Sequence, residues 1–334
     1  MTGLMLPPAN GQRPVFHDSR EAGESFAGRS VICIGTFDGV HRGHQAILAR
    51  GEAIAKEHGH HLMVVTFHPH PKSVVAPQKA PRLLSDPAEK ASMLAYYGAQ
   101  SILQLAFNRE LAETPAADFL NSILSEPLRP AAIIFGDDFR FGRGREGTPE
   151  YLKIWGRRNE CQIELLEQVT DATVGLRISS SLIRRLLNND QFDTAIGLLG
   201  HAYPVSGTIK PGAGRGKKFG YPTWNLHIPE YKLPPPVGIY AGWAGRTTPR
   251  PAMAYYGSTP TFDGQGSWLE ANLIGEGDDT TPQEEETVWL GKFVREEVKF
   301  DGADALTAQL ADDKRVVSDI LSTVNVNHKR LREK

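Results

Sequence analysis

Between residues 30 and 170 short apolar runs alternate with stretches of helical periodicity, and that alternation restricts the fold more than any other feature of the chain. VICIG (31–35), HLMVVTF (61–67), SILQLAF (101–107), AAIIFG (131–136) and CQIELLEQV (161–169) read as strands. Between them lie HQAILARGEAIAKEHG, DPAEKASMLAYYG and TPAADFLNSIL, with apolar residues at helical spacing. Asp86 and Gly98 bracket the second of these as helix start and stop signals. Strands that alternate with helices predict an α/β fold: a parallel sheet covered on both faces.

ISSSLIRRLLNND (178–190) reads as a Ser-capped helix and QFDTAIGLLG (191–200) as another. After His201 the texture changes. Gly and Pro cluster in PGAGRGKKFGYP, KLPPPVG and GSTPTFDGQG, between short β-rich runs such as PVSGTI, GIYAGWA, AMAYYG and ETVWLGKFV. Short strands separated by turn signals predict a small antiparallel β-barrel. DGADALTAQLADDKRVVSDIL (301–321) reads as an amphipathic helix packed on it, and GEGDDTTPQEEE (275–286) as a solvated acidic loop.

A length of 334 residues fits two domains. The expected division is an N-terminal extension over 1–28, a Rossmann-like α/β domain over 29–200, and the barrel with its helix over 201–325. A net charge of −2 gives no support to nucleic-acid binding, which favours a basic excess. Cys33 and Cys161, both in apolar strands, read as buried thiols rather than a disulfide framework. MTGLMLPPANGQRP lacks the apolar core of a secretory signal, and no 18-residue apolar run occurs, so the expectation is a cytoplasmic protein that does not span a membrane. A homo-oligomer is left open.

Four stretches of the first domain are polar beyond what a scaffold requires: GTFDGVHRGH (35–44), TFHPHP (66–71), GDDFRFGRGREG (136–147) and ISSSLIRR (178–185). Each follows a strand or opens a helix, so all four can converge on the carboxyl edge of one sheet, where open α/β sheets bind ligands. They supply histidines, backbone amides, hydroxyls and an arginine, which suit a nucleoside triphosphate under attack at phosphorus. Ser179, Ser180 and Ser181 mark a helix N-terminus, a ready anion site, with Arg184 one turn on. Blander readings stand beside these. His41 is a helix-start residue and His44 a packed one, and Arg184 is a surface charge. Zinc held by His41, His44, His68 and His70 is disfavoured, because HxGH lacks the HExxH spacing and no cysteine accompanies it.

In this order the four motifs resemble the adenylyltransferase module of bacterial bifunctional riboflavin kinase/FAD synthetases. Thr36 stands where the family commonly has Asn and Asp138 where some members carry Asn, and both still accept hydrogen bonds. The resemblance implies that ATP adenylylates FMN to give FAD and pyrophosphate. It implies that Gly35, Asp38, Gly39, His41, Gly43 and His44 approach the ATP phosphates, with His41 and His44 catalytic. Ser179, Ser180, Ser181 and Arg184 would hold the triphosphate from the other side. Phe67, His68, Pro69 and His70, with Asp138, Phe139 and Phe141, would shape the flavin side.

In the second domain GRGKKFGYPTWN (214–225) offers Gly214, Gly216 and Gly220 for close backbone approach to an anion, and Lys217 and Lys218 for charge. Thr223 and Asn225 are hard oxygen donors suited to magnesium, and Glu270 in SWLEANLI is a strand carboxylate able to take a proton. A glycine-rich hairpin and a solvent-facing carboxylate are the bland alternatives. With GIYAG and STPTF, these segments resemble the riboflavin kinase module of the same family. That resemblance implies Gly214, Gly216, Lys217 and Gly220 at the ATP phosphates, Mg²⁺ at Thr223 and Asn225, and Glu270 as general base for the riboflavin 5′-hydroxyl. The acidic segment after Glu270 lacks the LYG element that members usually carry.

The expectation is therefore a Mg²⁺-dependent enzyme whose partners are ATP, riboflavin and FMN. The alternatives are an FAD synthetase whose barrel is a flavin-binding regulatory module, and a flavin or nucleotide sensor without turnover.

Overall fold

The structure is a computed structural model that describes residues 13–172, 175–211, 222–257, 267–275 and 281–331, with side chains described to 323 and Ser267 excepted. Its first six strands, β1 (Val15–Phe16), β2 (Ser30–Ile34), β3 (His61–His68), β4 (Ser101–Ala106), β5 (Pro130–Gly136) and β6 (Gln162–Leu166), form one sheet in the order β1-β4-β3-β2-β5-β6. Every pairing in it is parallel. All five residues of β2 are buried, as expected of a central strand covered on both sides.

On one face Ile32, Ile34, Met63, Val65 and Phe135 pack with Phe119, Leu120, Leu124 and Trp155. On the other, Cys33 and Leu62 meet the helix Arg42–His58. Gly51 permits this approach: a Cβ there would lie 2.4 Å from Cys33 Sγ. Both cysteines are buried thiols, as expected, and burial pushes that of Cys161 up to about 12.

Two details of this unit differ from the sequence reading. The expected helix at 114–124 is present, but it widens into a π-helical stretch over Phe119–Ser125. The described part of the expected N-terminal extension is joined to the sheet. Val15–Phe16 pairs with β4, and Ala22 on the helix Ser19–Glu24 is fully buried in the core. A two-residue edge strand is too short to show alternation, so periodicity could not find it.

By its packing the chain divides into two compact units between Ser179 and Ser180, and Arg82–Asp86 clusters with the second unit. There Leu83 bridges to Lys232, and Lys232 Nζ donates to the Leu84 carbonyl at 2.7 Å.

In the second unit β7 (Tyr203–Ile209), β8 (Trp224–Ile228), β9 (Gly238–Ala244), β10 (Arg250–Tyr256), β11 (Ser267–Leu273) and β12 (Glu285–Arg295) close an antiparallel barrel in the order β10-β11-β8-β7-β12-β9. Leu226, Ile228, Leu269, Ala271 and Leu273 alternate along β8 and β11 and are buried. The period-2 geometry of a strand puts the residues between them on the barrel's outer side. The helix Ala303–Leu331 is tied to β12 by Asp313, which is 2% exposed and receives both Nε and Nη2 of Arg295.

The segment read as a solvated acidic loop is corrected at its end. Glu285 and Glu286 begin β12, and Glu286 is buried, accepting from the backbone N–H groups of Arg246 and Gln283 at 2.9 and 3.0 Å. A run of like charges hides an inward carboxylate when backbone donors await it.

Candidate active sites

At the carboxyl end of β2, Gly35 N donates to the Val65 carbonyl at 3.1 Å, and the chain then leaves the sheet through a tight turn. Phe37, Gly39 and Val40 all have positive φ, at 50°, 78° and 34°. Glycine adopts this region freely, whereas Phe37 and Val40 are strained there. Full burial of both side chains offsets that strain. Asp38 and His41 are buried too.

His41 is the helix-start residue of Arg42–His58: its ring accepts from the His44 backbone N–H at 3.4 Å. The His41 and His44 rings stack with centroids 3.7 Å apart, and Phe37 lies 5.1 Å from His44. The spacing HxGH has a steric reason here, since a Cβ on Gly43 would come within 3.2 Å of the His41 ring. Burial, then the neighbouring His41 and Lys90, hold the His44 imidazole well below its ordinary range, so it is neutral at pH 7. Its Nδ1 is buried without a hydrogen-bond partner among the described residues.

The remaining sheet-edge residues split between surface and core. His68 and Pro69 are exposed, and the His70 ring caps the helix Pro71–Val75 by accepting from Lys72 N at 3.1 Å. Phe67 and Phe141, expected on the flavin side, are each 7% exposed and belong to the sheet's core cluster. Phe139 stacks on Phe141 at 5.8 Å and is partly buried. In FRF the two phenylalanines cannot be told apart from sequence.

Asp138 is exposed and pairs with Arg177 at 2.7 Å, while Arg42 pairs with Asp171 at 2.5 Å. These two ion pairs tie the segment around Thr170–Arg177 to the GDDF turn and to the helix start. Sequence reading missed Arg42, Asp171, Arg177 and Lys90, although Arg42 lies inside HRGH and could have been flagged.

Ser179 ends the first unit, whereas Ser180, Ser181 and Arg184 lie on the helix Ser180–Asn188 of the second. There Arg184 Nε donates to the Arg82 carbonyl at 2.7 Å.

On the barrel, Gly214, Gly216, Lys217 and Gly220 lie outside the described residues. Glu270 is directly opposite Asn225 across the β8–β11 pair and opposite Tyr255 across the β10–β11 pair. The three residues thus form a row on the outer side, all partly buried. Asn225 Nδ2 donates to the Thr223 carbonyl at 3.3 Å, which leaves Oδ1 as the end of the amide that can ligate. Asn272, two residues after Glu270, donates to the Pro222 carbonyl at 2.7 Å and so fixes the start of PTWN. Among the described residues no three His, Cys, Asp or Glu side chains are grouped to hold a metal, and no helix is long and apolar enough to cross a membrane.

Residues 24–182 match the FAD synthetase family and residues 199–321 the riboflavin kinase family. The bifunctional riboflavin kinase/FMN adenylyltransferase of Escherichia coli K12 is 35% identical over 288 residues, covering 85% of this chain and 90% of that protein. The protein of the same name from Bacillus subtilis is 31% identical over 294 residues, covering 86% and 91%. A solved structure described as a macrolide-efflux protein from Streptococcus pneumoniae superposes with a TM-score of 0.74 at 27% identity, covering 92% of this chain and 98% of that one.

Proposed function

Because this chain belongs to the bifunctional riboflavin kinase/FMN adenylyltransferase family, we propose that its barrel phosphorylates riboflavin to FMN and its α/β unit adenylylates FMN to FAD. The observation that carries this reading is that the HxGH histidines, His41 and His44, lie on one compact unit and Asn225 and Glu270 on the other.

In the adenylyl transfer, an oxygen of the FMN phosphate attacks the α-phosphorus of ATP. The new P–O bond forms as the bond to the bridging oxygen breaks, and pyrophosphate leaves. Such transfers depend mainly on positioning and on donors aimed at developing charge. The N-terminus of Arg42–His58 supplies backbone N–H groups and the positive end of a helix dipole. A neutral His44 still donates one N–H to a phosphate oxygen. Gly35, Asp38, Gly39 and Gly43 shape the turn that brings these donors forward. The exposed His68 and Pro69, with His70, Asp138 and Phe139, remain on the proposed flavin side. Ser179, Ser180, Ser181 and Arg184 keep their proposed role toward the triphosphate.

In the kinase, Glu270 takes the proton of the riboflavin 5′-hydroxyl as that oxygen bonds to the γ-phosphorus of ATP and ADP leaves. Gly214, Gly216, Lys217 and Gly220 are proposed to cradle the ATP phosphates. Thr223 and Asn225 fit a magnesium ion as hard oxygen donors, with Asn225 Oδ1 left by the amide's bond to Thr223. Asn225 and Thr223 would hold Mg²⁺, which would supply positive charge to the ATP phosphates. A cytoplasmic location is part of this proposal.

Purified protein incubated with ATP, Mg²⁺ and either riboflavin or FMN, with flavins separated over time, tests it. Both FMN and FAD should form. FAD from FMN without FMN from riboflavin would reduce the barrel to a binding module. In His44→Ala, FAD formation should fall by about 10²-fold or more in kcat, with FMN formation retained.

A further inference from the structure

Lys90, on the helix Pro87–Tyr96, is a buried cation that the chemistry above leaves unused, with 7% of its surface exposed. Its ammonium reaches three oxygens: the Thr36 carbonyl at 3.3 Å, Thr66 Oγ1 at 3.1 Å and the Phe67 carbonyl at 3.1 Å. Thr66 Oγ1 in turn donates to the Thr36 carbonyl at 3.1 Å. An ammonium has three N–H donors, enough to serve all three oxygens.

The place of these oxygens gives the contact its meaning. Thr36 lies two residues beyond β2, and Thr66 and Phe67 lie near the end of the neighbouring β3. Where strands leave a sheet their carbonyls lose ladder partners and must be satisfied otherwise. A neutral donor would do this with less desolvation than a buried ammonium. A lysine adds a fixed positive charge just behind the turn that ends in HxGH, and His44 feels it.

Resting on the reading that this unit makes FAD, we propose that Lys90 is a positioning residue of the adenylyl-transfer site. Through the Thr36 carbonyl it fixes the turn that aims His41 and His44, and it places an ammonium group behind the phosphate-facing donors. Thr66 is its relay: its hydroxyl accepts from Lys90 and donates to the same Thr36 carbonyl. The pair therefore holds the exit of β2 to the exit of β3.

The test uses the full chain with K90M, T66V, T66S and the double variant K90M/T66V. In each, FAD formation from FMN and FMN formation from riboflavin are measured on one preparation, and a thermal unfolding curve of the same preparation reports on the fold. A small misplacement of catalytic groups costs about 10²-fold, and K90M should lose kcat for FAD synthesis on that order. The KM values for ATP and FMN should stay within about threefold, since the interaction is made in the transition state rather than uniformly. T66V should lose kcat in the same direction, T66S should restore it, and the double variant should lose less than the product of the singles.

A K90M enzyme with unchanged kcat, or one whose loss lies wholly in KM, overturns the proposal. So does T66S as impaired as T66V, which decides the matter if K90M fails to fold. Wild-type protein that makes no FAD from FMN overturns the family reading and this role together. An active wild type with an indifferent K90M overturns the role alone.

Discussion

Glu270 and Asn225 face each other across the antiparallel β8–β11 pair, although 45 residues separate them in the chain. Directly opposed residues have Cβ atoms about 5 Å apart, which is within reach of a shared phosphate and metal. The register therefore sets a carboxylate directly opposite an amide that sequence order keeps apart.

If Glu270 is the general base, Glu270→Gln keeps shape and one acceptor but cannot take a proton. Riboflavin phosphorylation should drop by about 10²–10⁴-fold, while FMN supplied directly still becomes FAD at the normal rate. Unchanged FMN formation in this variant, followed by chromatography of the flavins, would return Glu270 to the status of a barrel-surface carboxylate.

His44 links stability to pH. Unfolded, its imidazole binds a proton below about pH 6.5, whereas burial keeps the folded ring neutral well below that. In the window between the two values the unfolded chain binds more protons, so stability rises with pH and is lost as pH falls from 6.5. Thermal unfolding from pH 7.5 to 5 should show a shallower acid loss for His44→Asn than for wild type. His60 and His61, also lowered by burial, contribute equally to both proteins.

The Arg295–Asp313 pair should anchor the terminal helix. Asp313 is buried, and losing it would strand a guanidinium that now makes two contacts with it. Removing one partner of a buried pair typically costs about 3–5 kcal/mol, so Asp313→Ala should unfold at markedly lower denaturant. Arg295→Met with Asp313→Leu should recover much of that loss, because the stranded charge is gone.

Gly51→Ala should destabilise the α/β unit even though alanine is the better helix former. The new Cβ would sit 2.4 Å from Cys33 Sγ and 3.0 Å from Leu62 Cδ1. Overpacking of this kind costs about 1–3 kcal/mol. Cys33→Ala in the same chain should relieve most of it, and calorimetry of the single and double variants gives the coupling.

By itself the sequence determined the two architectures and the motif content. Continuous apolar runs alternating with amphipathic helices leave few options besides a parallel sheet, and Gly/Pro punctuation of short strands leaves few besides a barrel. Those signals are local, set by periodicity and backbone preference. The HxGH turn was equally legible, because Gly39 and a helix start lie within seven residues of a strand end.

Tertiary structure alone decided what depends on contact between distant segments. Nothing in the sequence marks Lys90, and only the packing of β2 and β3 presents three oxygens to it. Phe67 and Phe141 became core, and Glu286 became buried. Asn225 met Glu270 only through strand register. Side-chain identity states which hydrogen bonds a residue can make, and only packing states which partners arrive.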